Sequence, residues 1–228
     1  YTFTVFTEFH PAERACQIEE DEHRRVLERL SMLLKILNKI INYKSEFVLI
    51  LVLFFALLVR CYEITLPYSK PWEIAFQEII AKNHLIYGFN QTHFVSVISV
   101  VNGQNIYHLN HQPLLQILVA VSYFFFGIHE WSARIIPIIF SLGTIVLIFA
   151  IADRVWDRRT ALFAAFFATF IPMSAYYGRI VNFEPLVLFF VLLLAWAYIV
   201  WIETHNTKYF ILAIAAITLG GLTDWPFF

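Results

Sequence analysis

Residues 135–202 read IIPIIFSLGTIVLIFAIADRVWDRRTALFAAFFATFIPMSAYYGRIVNFEPLVLFFVLLLAWAYIVWI, and this stretch decides the fold. Three apolar runs, 135–152, 161–177 and 186–202, are separated by short polar turns, and their charged residues stand only at or beyond the ends. Each run approaches the roughly 20 residues a helix needs to cross the hydrocarbon core of a bilayer. Working outward, further apolar runs occupy 209–223, 114–126 and 47–66. With 60% hydrophobic residues, 14% charged residues and a mean hydropathy of +0.67, the chain reads as a polytopic membrane protein. A net charge of −1 argues against nucleic-acid binding and against wholesale electrostatic attachment to anionic lipid. Cys16 and Cys61 lie on different segments and suggest neither a disulfide framework nor a zinc motif.

Fifteen of the thirty-three charges fall in residues 1–46, which therefore form a polar arm ahead of a lipid-embedded body at 47–228. Arg24, Arg25, Arg29, Lys35, Lys39 and Lys44 interleave with aliphatic residues, a basic amphipathic helix suited to a membrane face. The chain begins at Tyr1 and stops at Phe228 within an apolar segment, so it reads as the N-terminal part of a longer protein. Met32, just before a spanning segment, makes residues 1–31 an extension of uncertain meaning. No charge-poor apolar core precedes a small-residue cleavage site, so a cleavable signal peptide is not expected.

Lys and Arg in short loops set the orientation. Arg29, Lys35, Lys39 and Lys44 precede the first run, and Arg154, Arg158 and Arg159 sit in the turn 153–160, so both regions are expected on the cytoplasmic side. Two cytoplasmic regions are separated by an even number of crossings, yet the runs at 47–66, 114–126 and 135–152 would make three. The thirteen residues 114–126 fall in the range of an interfacial or re-entrant helix, which leaves 67–130 as one long external loop. The turn 178–184 and Asp224 are then external and 203–208 is internal. Arg60 and Glu63, near the end of the first run, are expected to pair or to snorkel to the interface.

In the external loop, Trp72, Ala75, Phe76, Ile79 and Ile80 recur at helical spacing, with Glu73, Gln77, Glu78, Lys82 and His84 opposite. This predicts an amphipathic helix on the bilayer surface, with Pro71 in its first turn. Asn90-Gln91-Thr92 matches the glycosylation acceptor pattern, and Asn102-Gly103 marks a turn. Glu73 and Glu184 each begin a helix at the external face. Acids at lipid depth are candidates for function, although each also complements a helix N-terminal dipole. Trp72 and Tyr177 suit interfacial anchoring. His108 and His111 would present two imidazoles to one divalent metal ion if residues 108–111 were helical.

From His111 the chain carries HQPL at 111–114, FG at 126–127, SAR at 132–134, RRTAL at 158–162 and YGRIVNFE at 177–184. In order and spacing these resemble the membrane-embedded GT-C glycosyltransferases of the dolichyl-phosphate-mannose protein mannosyltransferase and aminoarabinose transferase type. Such relatives have a K/H-P-P-L-like start, F-G, S-A-R, R-R-x-A-L and Y-G-R-x-x-x-x-D/E. The resemblance is firmest over residues 111–190 and extends back to 47 and forward to 228. It implies an all-α GT-C-type helical bundle, with about five transmembrane helices in this chain and two membrane-surface helices in the first external loop.

It also implies a reaction: transfer of a sugar from a polyprenyl-phosphate-linked donor to a protein, lipid or glycan acceptor, with inversion, at the non-cytoplasmic face. The hexosyl or pentosyl group would be attacked at its anomeric carbon while a carboxylate takes the acceptor's proton and phosphate leaves. Relatives carry an Asp-Glu pair at the start of the first surface helix. Counting back from Ile80-Ala81 places these at Glu73 and Ile74, so one carboxylate remains, longer by a methylene, and its partner is gone. The later acid falls on Glu184, and a phosphate-binding Lys of some relatives falls on His111. Arg179 and, more weakly, Arg134 are further cations for the phosphate. Relatives often have Lys near the end of the fifth span, where this chain has Thr223-Asp224-Trp225. The relatives favour a prokaryotic plasma membrane, a cytoplasmic N-terminus and a role in protein glycosylation or the cell envelope. A transporter or flippase of lipid-linked sugars, or a non-catalytic membrane subunit, is the competing reading. A transporter would carry ionisable groups near the bilayer midplane, and the runs at 135–152, 161–177 and 186–202 carry none.

Overall fold

The computed structural model describes residues 45–66 and 71–227 of the chain, and within it 48–228 forms one compact unit. The amphipathic arm expected over residues 24–44 lies outside the described residues. Helix α1 covers residues 45–61. It is followed by α2 Pro71–Tyr87, α3 Phe89–Thr92, β1 Val97–Val101, β2 Gln104–Tyr107, α4 Leu114–Phe126, α5 Glu130–Val155, α6 Arg158–Phe170, α7 Pro172–Tyr177, α8 Glu184–Thr204 and α9 Thr207–Gly221. A 3-10 turn follows at Trp225–Phe227. The fold is mostly helical, and α5 and α8 are long and apolar enough to cross a membrane. Helices α4 and α9 are apolar but shorter. At 1.5 Å per residue α4 is about 20 Å long, less than a bilayer core of about 30 Å.

Two hydrophobic clusters hold the helices together. In one, Val52 and Ala56 of α1 meet Ile145, Phe149 and Ala152 of α5 and Ala161 and Ala165 of α6. Alanines at these positions let helix backbones approach closely, the usual basis of helix packing where lipid removes the hydrophobic drive between helices. In the other cluster, Leu115, Val119, Ala120 and Tyr123 of α4 pack with Ala81 of α2, Ala133 of α5, and Val181, Phe183, Leu186 and Phe190 at the start of α8. Large apolar side chains such as Phe124, Phe125, Ile139, Phe163 and Phe167 stay exposed. An ion pair between Arg154 and Glu203 joins the C-terminal ends of α5 and α8. The turns 153–160 and 203–208 therefore share one end of the bundle.

Four expectations are corrected. The first run is helical only to residue 61, and residues 62–66 form a turn in which Glu63 has φ 55°. Arg60 neither pairs with Glu63 nor snorkels outward. It is 0% exposed, and its guanidinium donates to Ser141 Oγ at 2.6 Å and to Ser174 Oγ at 3.1 Å. Hydroxyls on α5 and α7 thus draw the charge inward and satisfy its donors, without which its burial would be costly.

The run 161–177 is not one helix but α6 and α7, broken at Ile171. Pro172 has no N–H for the carbonyl of Ala168 four residues earlier. The Ser174 hydroxyl donates to that carbonyl instead, at 2.6 Å. Gly178, just beyond α7, lies where a Cβ would run into Ser141, Arg60 and the Ser174 carbonyl, so only glycine permits this approach.

Within the protein α2 buries Gln77, Ile80, Ala81 and His84, whereas Ile79 of the stripe expected to face the bilayer is exposed. Polar partners hold the buried face. The amides of Gln77 and Gln116 pair at 2.7 Å, and His84 Nδ1 hydrogen-bonds with Thr92 Oγ1 at 2.8 Å. Thr92, the last residue of the glycosylation pattern, is thereby buried while Asn90 stays exposed.

Finally, the loop 88–110 contains an antiparallel hairpin, β1 against β2, in an otherwise helical fold. Its two-residue turn is Asn102-Gly103, with φ 51° and 79°, the doubly positive conformation that matches strand twist and favours Asn-Gly. The Asn83 side chain of α2 donates to the carbonyls of Val97 and Ile98 at 2.9 and 2.7 Å, tying the hairpin down.

Candidate active site

At the end of the bundle opposite Arg154 and Glu203, a cavity of about 500 Å³ is lined by Phe76, Gln77, His108, His111, Asn182, Phe183, Glu184 and Asp224. Four separate parts of the chain supply it. Phe76 and Gln77 come from α2, the histidines from the segment after β2, residues 182–184 from the entry to α8, and Asp224 from the turn after α9.

His111 is held on three sides. Its ring stacks on Phe183 with centroids 4.8 Å apart and on His108 at 5.7 Å. Its Nδ1 lies 2.7 Å from Asp224 Oδ1. The His108 ring meets Phe76 edge-on at 4.8 Å, and its backbone N–H donates to Ser96 O at 2.7 Å. Burial, and then the neighbouring His111, push the His108 imidazole below its usual range. Two hydrogen bonds bind the segment beyond α9 to the residues ahead of α4: Leu114 N–H to Leu222 O at 3.1 Å, and Trp225 Nε1–H to Asn110 O at 2.5 Å.

Glu184 is the first residue of α8 and precedes Pro185. Proline suits that first turn because its missing N–H is one that the helix leaves unbonded anyway, and the helix dipole favours the carboxylate there. Asn182 Oδ1 accepts the Phe183 N–H at 2.9 Å and fixes the approach to the helix. Glu73 occupies the first turn of α2, three and four residues before Phe76 and Gln77.

The two arginines lie elsewhere. Arg134 is buried and donates to Glu63 O at 2.9 Å and to Leu66 O, with the Glu130 carboxylate 3.7 Å away. It fastens the turn after α1 to α5. Arg179 donates to Tyr62 O at 2.8 Å and lines a separate, mainly apolar groove between α1 and α7. Of the expected site residues, then, His111 and Glu184 meet in one cavity, Glu73 stands one helical turn from its wall, and Arg134 and Arg179 do not line it.

Residues 108–111 are not helical, so the two imidazoles are not presented as the metal reading required. One nitrogen of His111 is already committed to Asp224. Among the described residues no group of three or more His, Cys, Asp or Glu side chains is arranged to hold a metal ion.

Near Glu130 and Arg134, away from the cavity lining, Glu78 of α2 carries a buried carboxyl oxygen with no hydrogen-bond partner. Desolvation, and then the charge of Glu130, push it up to about 7, against the opposing pull of Arg134. Burial pushes the fully buried His84 down.

The sequence reading missed Gln77, Asn182 and Asp224 as parts of the site. Asp224 stood out only as an acid where relatives carry a Lys, and its partner lies 113 residues away.

Among known proteins, the sequence model of the family described as dolichyl-phosphate-mannose-protein mannosyltransferase matches residues 110–224, a span that runs from the residue before His111 to Asp224. No curated protein and no solved structure matches the chain.

Proposed function

The chain belongs to the dolichyl-phosphate-mannose-protein mannosyltransferase family, and from that premise we propose that it moves a sugar from a polyprenyl-phosphate donor to an acceptor in the cavity around His111 and Glu184. The family and the two long apolar helices make it a membrane glycosyltransferase of the GT-C type. The observation that carries the finer reading is the convergence of Glu184, His111, Asn182 and Gln77 on one cavity, from segments up to 107 residues apart, with Glu73 one turn from its wall.

The chemistry follows from those residue types. An acceptor hydroxyl or amine attacks the anomeric carbon of the sugar, the bond to the phosphate oxygen breaks, and configuration inverts. Glu73 receives the acceptor's proton, and Glu184 is the second carboxylate at the reacting face. The leaving phosphate needs positive charge or hydrogen-bond donors rather than a strong acid, and His111 supplies them. Donors preorganised in a water-poor site stabilise such a developing anion far more than they would in water. The apolar groove beside Arg179 suits the polyprenyl tail or a second lipid.

In this reading residues 1–46 are a cytoplasmic arm and 47–228 the first part of the transmembrane catalytic module. About five helices cross the membrane, α2 and α4 lie at its external surface, and the cavity opens to the non-cytoplasmic side of a prokaryotic plasma membrane. The shared end of turns 153–160 and 203–208, opposite the cavity, supports that arrangement.

The test is transfer of radiolabelled sugar from a panel of polyprenyl-phosphate sugars into membrane extract, wild type against Glu73→Gln at equal expression. Transfer from at least one donor, lost in the variant, is expected. Equal transfer by both proteins would remove Glu73 as the base, and no transfer from any donor would overturn the transferase reading.

A further inference from the structure

His111 and Asp224 form a pair whose geometry does more than join two segments. The Asp224 side chain is 11% exposed and sits 2.7 Å from His111 Nδ1, while the His111 side chain remains 37% exposed and lines the cavity. A carboxylate only accepts hydrogen bonds, so the proton between the two belongs to Nδ1. The other nitrogen, Nε2, is then the atom left for a ligand. Phe183 and His108 stack on the ring and keep it from turning about its own axis.

The mere joining of the two segments does not require this carboxylate. Leu114 to Leu222 and Trp225 to Asn110 already bind residues 222–225 to residues 110–114 by hydrogen bonds that leave Asp224 out. A buried carboxylate facing an imidazole at a cavity wall has the form of a base oriented by a third group, a form that recurs on unrelated folds.

We propose that Asp224 is a positioning residue: its carboxylate accepts the Nδ1–H of His111 and balances the charge of the doubly protonated ring, so that Nε2–H donates to the phosphate of a polyprenyl-phosphate ligand in the cavity. This rests on the proposed function for the identity of the ligand and adds the residue that balances the charge and sets the direction of the ring. No bond is made or broken by Asp224 itself. With the ring doubly protonated the pair is neutral overall, and the group it turns to the phosphate is an N–H donor. An asparagine at 224 has no charge to balance that ring, and a neutral ring that keeps its proton on Nδ1, against the amide oxygen, turns the Nε2 lone pair toward the phosphate.

The experiment uses the full protein in phosphatidylcholine nanodiscs, with farnesyl phosphate as the probe and 15N-labelled histidine for spectroscopy. Asp224→Asn should weaken farnesyl phosphate binding about tenfold, as expected when a hydrogen bond to a charged group is lost. His111→Gln should weaken it by a similar factor, and the double variant should lose little more, because the two residues act as one unit. Trp225→Phe, which removes a joining hydrogen bond and leaves the pair intact, should bind like the wild type. In the wild type, farnesyl phosphate should move the Nε2 resonance of His111 while Nδ1 keeps its proton, a readout that also serves if Asp224→Asn does not fold. Wild-type affinity in Asp224→Asn, additive losses in the double variant, an unmoved Nε2, or a Trp225→Phe loss equal to that of Asp224→Asn would each overturn the proposal. Binding is read without sugar transfer. If the phosphate binds as described and no sugar moves from any donor, the positioning role stands and the transferase reading falls.

Discussion

Glu78→Gln should make the protein more stable at alkaline pH and remove part of its pH dependence. Burial, with the nearby Glu130 charge, pushes the Glu78 carboxyl up to about 7, well above the roughly 4.3 of a free Glu. The folded protein therefore binds this proton more tightly than the unfolded chain does. Stability falls as pH rises wherever the folded state holds more protons. The penalty is absent below about pH 4.5, grows through pH 7 and is complete above it. At about 1.4 kcal/mol per pH unit the ceiling is ~4 kcal/mol, and partial solvent access to Glu78 lowers the expected value to ~1–2 kcal/mol.

Glutamine is neutral at every pH and keeps the shape. The variant should lie closest to the wild type at pH 5 and exceed it by ~1–2 kcal/mol at pH 8, a rise of roughly 2–8 °C in unfolding midpoint for a domain of this size. The assay is thermal unfolding in detergent, followed by tryptophan fluorescence from pH 5 to 8.5. The quantity to plot is the difference between variant and wild type. The buried His84, pushed down by desolvation, tilts stability the opposite way, with loss as pH falls, and cancels in that difference. A difference that stays flat across pH 5–8.5 would refute the account of Glu78. Glu130→Gln should relieve part of the same penalty in the same pH window.

Other substitutions probe the packing and the site. Gly178→Ala brings a methyl group against the Ser174 carbonyl, Ser141 and Arg60. It should destabilise by ~2 kcal/mol or more, and an unchanged unfolding midpoint would contradict the close approach. Ser141→Ala removes a buried hydrogen bond from the Arg60 guanidinium and should lower stability by ~1.5–3 kcal/mol, read by the same thermal assay. Glu184→Gln keeps the size of the side chain at the start of α8 and removes its charge. Sugar transfer should fall by roughly 10² or more with little change in unfolding midpoint, and full activity would take Glu184 out of the chemistry.

The helices that cross or approach lipid were largely legible. Helix α4 begins after Pro113 and stops at Gly127, both local signals, and its bounds match the apolar run 114–126. Asn206 caps α9 through the Lys208 N–H, another local device. What was not legible depends on partners far away in sequence. Apolar continuity hid the break at Ile171-Pro172, although a proline disfavours the helical conformation in the residue before it. The hydrophobic stripe of α2 pointed to a bilayer-facing side, and nothing local to the helix showed that Gln116 and Thr92 draw Gln77 and His84 into the core. Arg60 turned inward for the same kind of reason, since Ser141 and Ser174 lie 81 and 114 residues away. In the site, His111 and Glu184 were readable from motif spacing, whereas Asp224 becomes part of it only once α9 returns its end to the segment before α4.

Photo-crosslinking tests most directly where the lipid-linked donor meets the protein. A polyprenyl-phosphate sugar with a photoreactive group beside the phosphate would be irradiated with the protein in native membranes, and the labelled peptides mapped by mass spectrometry. The account predicts labels at residues 76–77, 108–111, 182–184 and 224, lost on competition with unlabelled donor. Competable labelling confined to the groove at residues 58–62 and 172–179, with none at 108–111 or 182–184, would contradict it.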